Sequence, residues 1–296
     1  INANITYILA QVKPEEIFRR LLNRGVAAAI GTMITDLAAA GLSETNVIAI
    51  VNIVTINAEP KQLAQSISEL AKSLKGVEGA EAATINRIIT TVLSNPKSEK
   101  IAGNLSDYIK ALDEAGITQE VIIGSVDYIL TQTNANEILR TISKPATSKS
   151  ITDLIKGLIE AGVLQSDIII IINQVVIKEN PERISNKLTE LAAELKQNGL
   201  SPADITARLN QTLEETRPGR VADLETDYIH ALRDLGVSAA IINANITYIL
   251  AQVKPEEIFK RLLNRGVAAA IGTMITDLVA AGLSETNVIA RVNIVP

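Results

Sequence analysis

His230 is the only histidine in this 296-residue chain, and there is no cysteine. An imidazole titrates near neutrality, so His230 is the first candidate for a general base or a metal ligand. Without thiolates, a zinc site would have to combine one imidazole with carboxylates, and disulfides and cysteine nucleophiles are excluded. The matching position elsewhere in the chain holds Lys110, which can do neither job in the same way. His230 therefore reads as a solvated helix position. Paired carboxylates occur at Glu15-Glu16, Asp113-Glu114 and Glu214-Glu215. They fall at helix ends or on charged faces, where the helix dipole or water accounts for them. Phosphate-cradling glycine loops, nucleophile elbows and dinucleotide fingerprints are missing. The sequence thus points to a protein that is not an enzyme, with no metal, no cofactor and no catalytic residue.

The five tyrosines take only two repeat positions: Tyr108 and Tyr228 on one helix of a hairpin, Tyr7, Tyr128 and Tyr248 on the other. They read as gap-fillers whose hydroxyls bond at the hairpin edge rather than as a stacking platform. Four Asn-x-Ser/Thr triplets, at Asn4, Asn104, Asn210 and Asn245, lie inside expected helices and are not read as glycan acceptors.

Positive charge is the one feature that recurs with a long period. Reading toward the C-terminus, Arg19, Arg20 and Arg24 meet no acid until Asp36. Arg140, Lys144 and Lys149 meet none until Asp153, and Lys260, Arg261 and Arg265 none until Asp277. These nine residues are the candidate contacts for an acidic protein surface or a polyanion, the alternative being solvated charge beside a helix break. At about 10 Å per packed helix layer the spots lie several tens of Å apart. A net charge of −5 argues against general polyanion binding, so protein partners or end-to-end self-association are favoured over nucleic acid.

The elements that carry these residues are set by repetition. Residues Ile1 to Val54 return as Ile242 to Val295, shifted by 241 positions, with three differences: Arg19/Lys260, Ala38/Val279 and Ile50/Arg291. A phrase Leu-x-x-x-Gly-apolar-Ser/Thr also recurs, at Gly41, Gly116, Gly199, Gly236 and Gly282, with looser forms at Gly79 and Gly162. Glycine ends a helix in the left-handed conformation, the apolar residue folds back, and Ser or Thr caps the next helix. Each phrase is therefore the bend of an αα-hairpin. Pro14, Pro60, Pro96, Pro181, Pro218 and Pro255, with Ala135 once in their place, mark the other bend. The hairpin steps are 46, 36, 39, 46, 37 and 37 residues, lengths that suit two-helix repeats. The long hairpins interrupt their first helix at Asn23-Arg24-Gly25, Ser143-Lys144-Pro145 and Asn264-Arg265-Gly266.

One long hairpin followed by two short ones gives a higher period of about 120 residues. Segment 1–13 is then the second helix of an incomplete hairpin, 14–134 and 135–254 are three-hairpin units, and 255–296 opens a third. On the helix after each glycine, the sixth and tenth residues form an inward apolar stripe: Val47, Ile85, Ile122, Ile168, Ile205, Ile242, Val288 and Val51, Ile89, Val126, Ile172, Leu209, Ile246, Val292. The ninth, which includes Ser125, Arg208, Asn245 and Arg291, is expected at the rim. Segment 1–13 should expose Ile5, Ile8 and Leu9.

The run Gly41-Leu42-Ser43-Glu44-Thr45-Asn46-Val47-Ile48-Ala49-Ile50 resembles the first-helix phrase of transcription-activator-like effector repeats. The Leu-x-x-x-Gly-Leu-Ser…Pro cadence is similar to mitochondrial transcription termination factor repeats. Both resemblances span about ten residues per repeat and imply helical-hairpin repeats. Base reading does not carry over, because Val51-Asn52-Ile53-Val54 continues the helix where the effector repeats place a base-reading loop.

The expected fold is an all-α open superhelix (α-solenoid) of about seven hairpins, preferred over a closed six-hairpin toroid because the seventh repeats the first. The expected role is a structural or scaffold segment of a longer array, in a filament or giant surface protein. The alternative is a binding module along the basic stripe. No apolar run reaches the roughly 20 residues of a membrane span. The compartment stays open between bacterial surface, extracellular space and cytoplasm.

Overall fold

The computed structural model describes residues 2–264 and 266–293. Among these the chain is 78% helical, with eighteen α-helices and no strand. It divides into two compact units, Ile1–Thr152 and Asp153–Pro296.

The first unit begins with α1 (Asn2–Leu9), α2 (Pro14–Leu21), α3 (Arg24–Ala39) and α4 (Glu44–Ile56). It continues through α5 (Pro60–Gly76), α6 (Ala82–Leu93), α7 (Ser98–Glu114), α8 (Gln119–Thr131) and α9 (Ala135–Ile142). The division falls within α10 (Pro145–Glu160). Here α3 packs on α5, α5 on α7 and α7 on α9, while α1 packs on α4, α4 on α6 and α6 on α8. The second unit holds α11 (Gln165–Val176), α12 (Pro181–Gln197), α13 (Pro202–Glu214), α14 (Pro218–Arg233) and α15 (Ala239–Leu250). It ends with α16 (Pro255–Leu262), α17 (Val267–Ala280) and α18 (Glu285–Val292). Within it α12 packs on α14, α14 on α16 and α17, α11 on α13, and α15 on α18.

The glycine bends form as the sequence predicts. Gly41, Gly79, Gly116, Gly162, Gly199, Gly236 and Gly282 all have φ between 74° and 87°. In six of them the N–H of the following residue returns to the carbonyl four residues before the glycine, as in Ile117 to Leu112 at 3.0 Å and Val237 to Leu232 at 3.2 Å. This six-to-one bond closes the helix end. Gly79 differs: Ala80 N–H donates to Val77 instead. The hydroxyl caps are less uniform. Ser43, Ser201 and Ser238 accept from the N–H three residues on, whereas Thr118 and Ser284 make no side-chain cap. The breaks in the long hairpins also form, since α2 ends at Leu21 before α3, α9 at Ile142 before α10, and α16 at Leu262 before α17.

Every member of the sixth and tenth rows is buried, from Ile122 at 0% exposure to Val47 at 8%. The ninth row is not a rim. Ile50, Ile88, Ser125, Ile171, Arg208 and Asn245 are all buried, and only Arg291 is exposed. Residues six and nine past the glycine are an i, i+3 pair, and the apolar stripe of a packed helix spans more than 100°, so the ninth residue faces inward. Ile8 corrects a second expectation: it is buried where α1 meets α4, while Ile5 and Leu9 stay exposed.

A Cβ on Gly116 would meet nothing within 4 Å, so its constraint is conformational alone. Gly116→Ala should lower stability by about 1 kcal/mol in chemical denaturation, the cost of a side chain in the left-handed region.

Candidate functional site

The polar chemistry of the chain lies mostly between helices. In the first unit Asp36 of α3 accepts from Ser68 of α5 and pairs with Lys72 at 3.1 Å. Glu69 of α5 pairs with Lys110 of α7 at 3.0 Å, which holds its carboxyl below the usual range. Between α6 and α8, Arg87 grips Asp127 with two bonds of 2.6 and 2.8 Å. In the second unit Glu194 of α12 takes both His230 Nε2 at 2.7 Å and Arg233 at 2.6 Å. His230 thus meets a carboxylate of the neighbouring helix, as its sister Lys110 does. Among the described residues no three His, Asp or Glu side chains are grouped to hold a metal.

The tyrosines divide by position. Tyr108 and Tyr228 are fully buried. The Tyr108 hydroxyl lies 3.0 Å from Ser125 Oγ, and the Tyr228 hydroxyl donates to Asn245 Oδ1 at 2.8 Å. These bonds lie in the core, not at the hairpin edge. Burial pushes the Tyr108 phenol up to about 12, and Tyr228 upward as well. Tyr7, Tyr128 and Tyr248 are half-buried, and each offers its backbone carbonyl to a glutamine four residues on. The four Asn-x-Ser/Thr asparagines all lie within helices, and Asn245 is buried.

The basic spots are only partly free. Arg19 and Arg24 are exposed. Arg20 is half-buried and donates to the carbonyls of Asn57 (2.9 Å) and Ala58 (3.3 Å), just past the end of α4. Arg140, Lys144 and Lys149 are exposed. Lys260 reaches back one turn to Glu256 at 2.6 Å, and Glu256 also takes Arg217 at 3.0 Å. That partner lies on the N-terminal side of the acid-free run. Arg261 is exposed, and Arg265 lies outside the described residues.

One buried charged pair lies outside the residues singled out by the sequence. Glu225 on α14 and Arg208 on α13 are buried, with Arg208 Nε 3.6 Å from Glu225 Oε1. Thr212 donates to the carboxylate at 3.3 Å, and Arg208 donates to Thr247 at 2.5 Å and to the Asn243 carbonyl at 3.3 Å. Burial raises Glu225 to about 7 against the pull of Arg208, and burial also lowers Arg208. The sister positions, 120 residues earlier, are Ile88 and Leu105, both buried. One unit therefore fills this place with two apolar side chains and the other with two charged ones. A signal existed in the sequence: Arg208 and Glu225 depart from the apolar pattern together.

No protein-family model matches the chain, and no curated protein is significantly similar to it in sequence. Among the described residues, no single helix is long and apolar enough to cross a membrane.

Removing one partner of a buried pair strands the other, so Arg208→Ile or Glu225→Leu alone should cost about 3 to 5 kcal/mol. The double change to the sister pair should be neutral or stabilising in the same denaturation assay. The pH dependence has a definite sign. With its carboxyl raised to about 7, folded Glu225 holds a proton that the unfolded chain has already lost above pH 4.5. Its contribution is complete below the unfolded value and disappears as pH rises through the folded one, on the order of 3 kcal/mol. The difference in stability between wild type and the double variant should shift accordingly between pH 4.5 and 7, and stay flat above.

Proposed function

We propose that this chain is a structural or scaffold segment of a longer helical array, without catalytic activity, of the kind that builds a filament or a giant surface protein. On this reading the helices form an open α-solenoid of about seven hairpins, with 14–134 and 135–254 as successive three-hairpin units. The observation that carries the reading is the return of residues 1–54 as 242–295 with three changes. Near-identical long repeats serve where length and a periodic surface matter more than one unique site. The use of charge supports it, because Asp36, Glu69, Asp127 and Glu194 are engaged in tying helices together. Its partners are further copies stacked end to end, or protein surfaces.

A second reading, a solenoid that binds an acidic protein surface or polyanion, is favoured by the exposed Arg19, Arg24, Arg140, Lys144 and Arg261. None of these five makes an ion pair among the described residues.

A compact 296-residue body has a radius of gyration of about 19 Å. Small-angle scattering of the monomer should give a clearly larger value with an elongated distance distribution, and a value at the compact limit would reject the open array. To test the second reading, Arg19→Ser/Arg24→Ser should weaken binding to heparin and flatten its dependence on salt. Arg20 is kept in that variant because it holds the carbonyls past α4. Equal binding by variant and wild type would leave the scaffold role alone. His230→Lys, which restores the residue of the sister unit, should change neither stability nor binding.

A further inference from the structure

The loop after α11 and the loop after α13 lie side by side and enclose a cleft of about 240 Å³. Its walls come from these loops and from α12 and α14, all inside the second unit and away from both ends of the chain. Buried Ile184 and Pro218 form its apolar part. Gly219 lets α12 and α14 close there, since a Cβ on it would stand 3.4 Å from Ile184 Cα. Four cations line the cleft, Lys178, Arg183, Arg217 and Arg220, with the Thr216 hydroxyl and one acid, Glu179.

These charges are not used up by the fold. Arg183 makes no ion pair among the described residues. Lys178 meets no acid either: its Nζ donates to the Leu213 carbonyl at 3.0 Å, which leaves donors of the ammonium unused. Arg217 pairs with Glu256 at 3.0 Å and Arg220 with Asp223 at 2.9 Å, and each guanidinium has further N–H groups to give. The first unit fills the same place differently. Asn57 and Gln62 stand for Lys178 and Arg183, Glu59 for Asn180, Ala58 for Glu179 and Glu99 for Gly219, while Lys97 and Lys100 keep the other two charges. Two cations and two acids in one unit thus become four cations and one acid in the other.

Guanidinium forks match the oxygens of a phosphate in pairs, and several cations around one small cleft suit a compact dianion better than a single carboxylate. The volume lies below that of sites for drug-sized ligands and fits a phosphate with a short ester chain. We propose that this cleft binds a small phosphomonoester, its phosphate held by Lys178, Arg183, Arg217 and Arg220 and its ester group against Ile184 and Pro218. The site needs only α11 to α14, not the extended array or the basic spots, so it can fail while the scaffold reading stands, and the reverse.

The test titrates inorganic phosphate, and separately glycerol phosphate, into the isotope-labelled full chain at constant ionic strength. Saturable shifts of the Arg183, Gly219 and Arg220 amides are expected, with a dissociation constant on the order of 1 mM. Glycerol phosphate should bind at least as tightly as inorganic phosphate, and acetate should not saturate. Lys178→Asn/Arg183→Gln, which installs the residues of the first unit, should weaken binding at least tenfold with the melting temperature nearly unchanged. Gly219→Glu, also the first unit's residue, puts a carboxylate into the cleft, should weaken binding similarly, and serves if the double variant does not fold. Arg19→Ser/Arg24→Ser should bind as wild type does. The proposal is overturned if phosphate moves these amides no more than chloride does, or if wild type and both cleft variants bind equally. It is also overturned if inorganic phosphate binds and glycerol phosphate does not, which would leave a site for the free ion alone.

Discussion

No hairpin in this chain can bury its apolar stripe by itself. The sixth, ninth and tenth residues after each glycine point off their helix in an arc too wide for one partner helix to cover. The remainder must be covered by the neighbouring pair, which is why helices pack on the equivalent helix one pair along, α3 on α5 and α5 on α7. The glycine bend makes this regular. A left-handed residue followed by a six-to-one hydrogen bond fixes where the second helix starts, and therefore which of its residues face inward. Short turns of constant geometry thus turn a local backbone preference into a repeated contact surface.

Regular packing then determines what polar groups can do. At every ninth-row position but Arg291 the side chain is buried whatever its chemistry, so a polar one must find a partner in the core. Ser125 and Asn245 find a tyrosine hydroxyl, and Arg208 finds Glu225. Each solution involves a residue on a helix that packs alongside, so a substitution in one row constrains the row opposite. Replacing Ile88 and Leu105 by Arg208 and Glu225 satisfies that constraint without improving burial, since a buried ion pair gains back in attraction about what it loses in hydration.

Most of the fold was legible in the sequence because its determinants are local. Glycine at a fixed distance from leucine, and proline at the opposite end, place the bends within a residue or two, and period 3.6 gives the inward rows. What was misread depended on a second helix. The ninth row looked like a rim because Arg208, Asn245 and Arg291 are polar, and only the packed neighbour shows that two of them are enclosed. The basic spots are free of acids only on their C-terminal side, whereas Lys260 pairs backward with Glu256, and Arg20 bonds to carbonyls 37 and 38 residues away. Ile8 was expected to be bare because its own hairpin partner is lacking, yet α4 covers it.

The duplication also separates two contributions that are mixed in a single-copy protein. Segments of nearly the same sequence fold to the same helices in both units, so local sequence and contacts within the segment suffice for secondary structure. Burial of Ile246, Leu250 and Ile275 against the exposure of Ile5, Leu9 and Ile34 comes from α14. At about 25 cal/mol per Å² of apolar surface, covering three such side chains is worth several kcal/mol, comparable with the net stability of a domain. The same four helices are therefore held by unequal forces in their two settings.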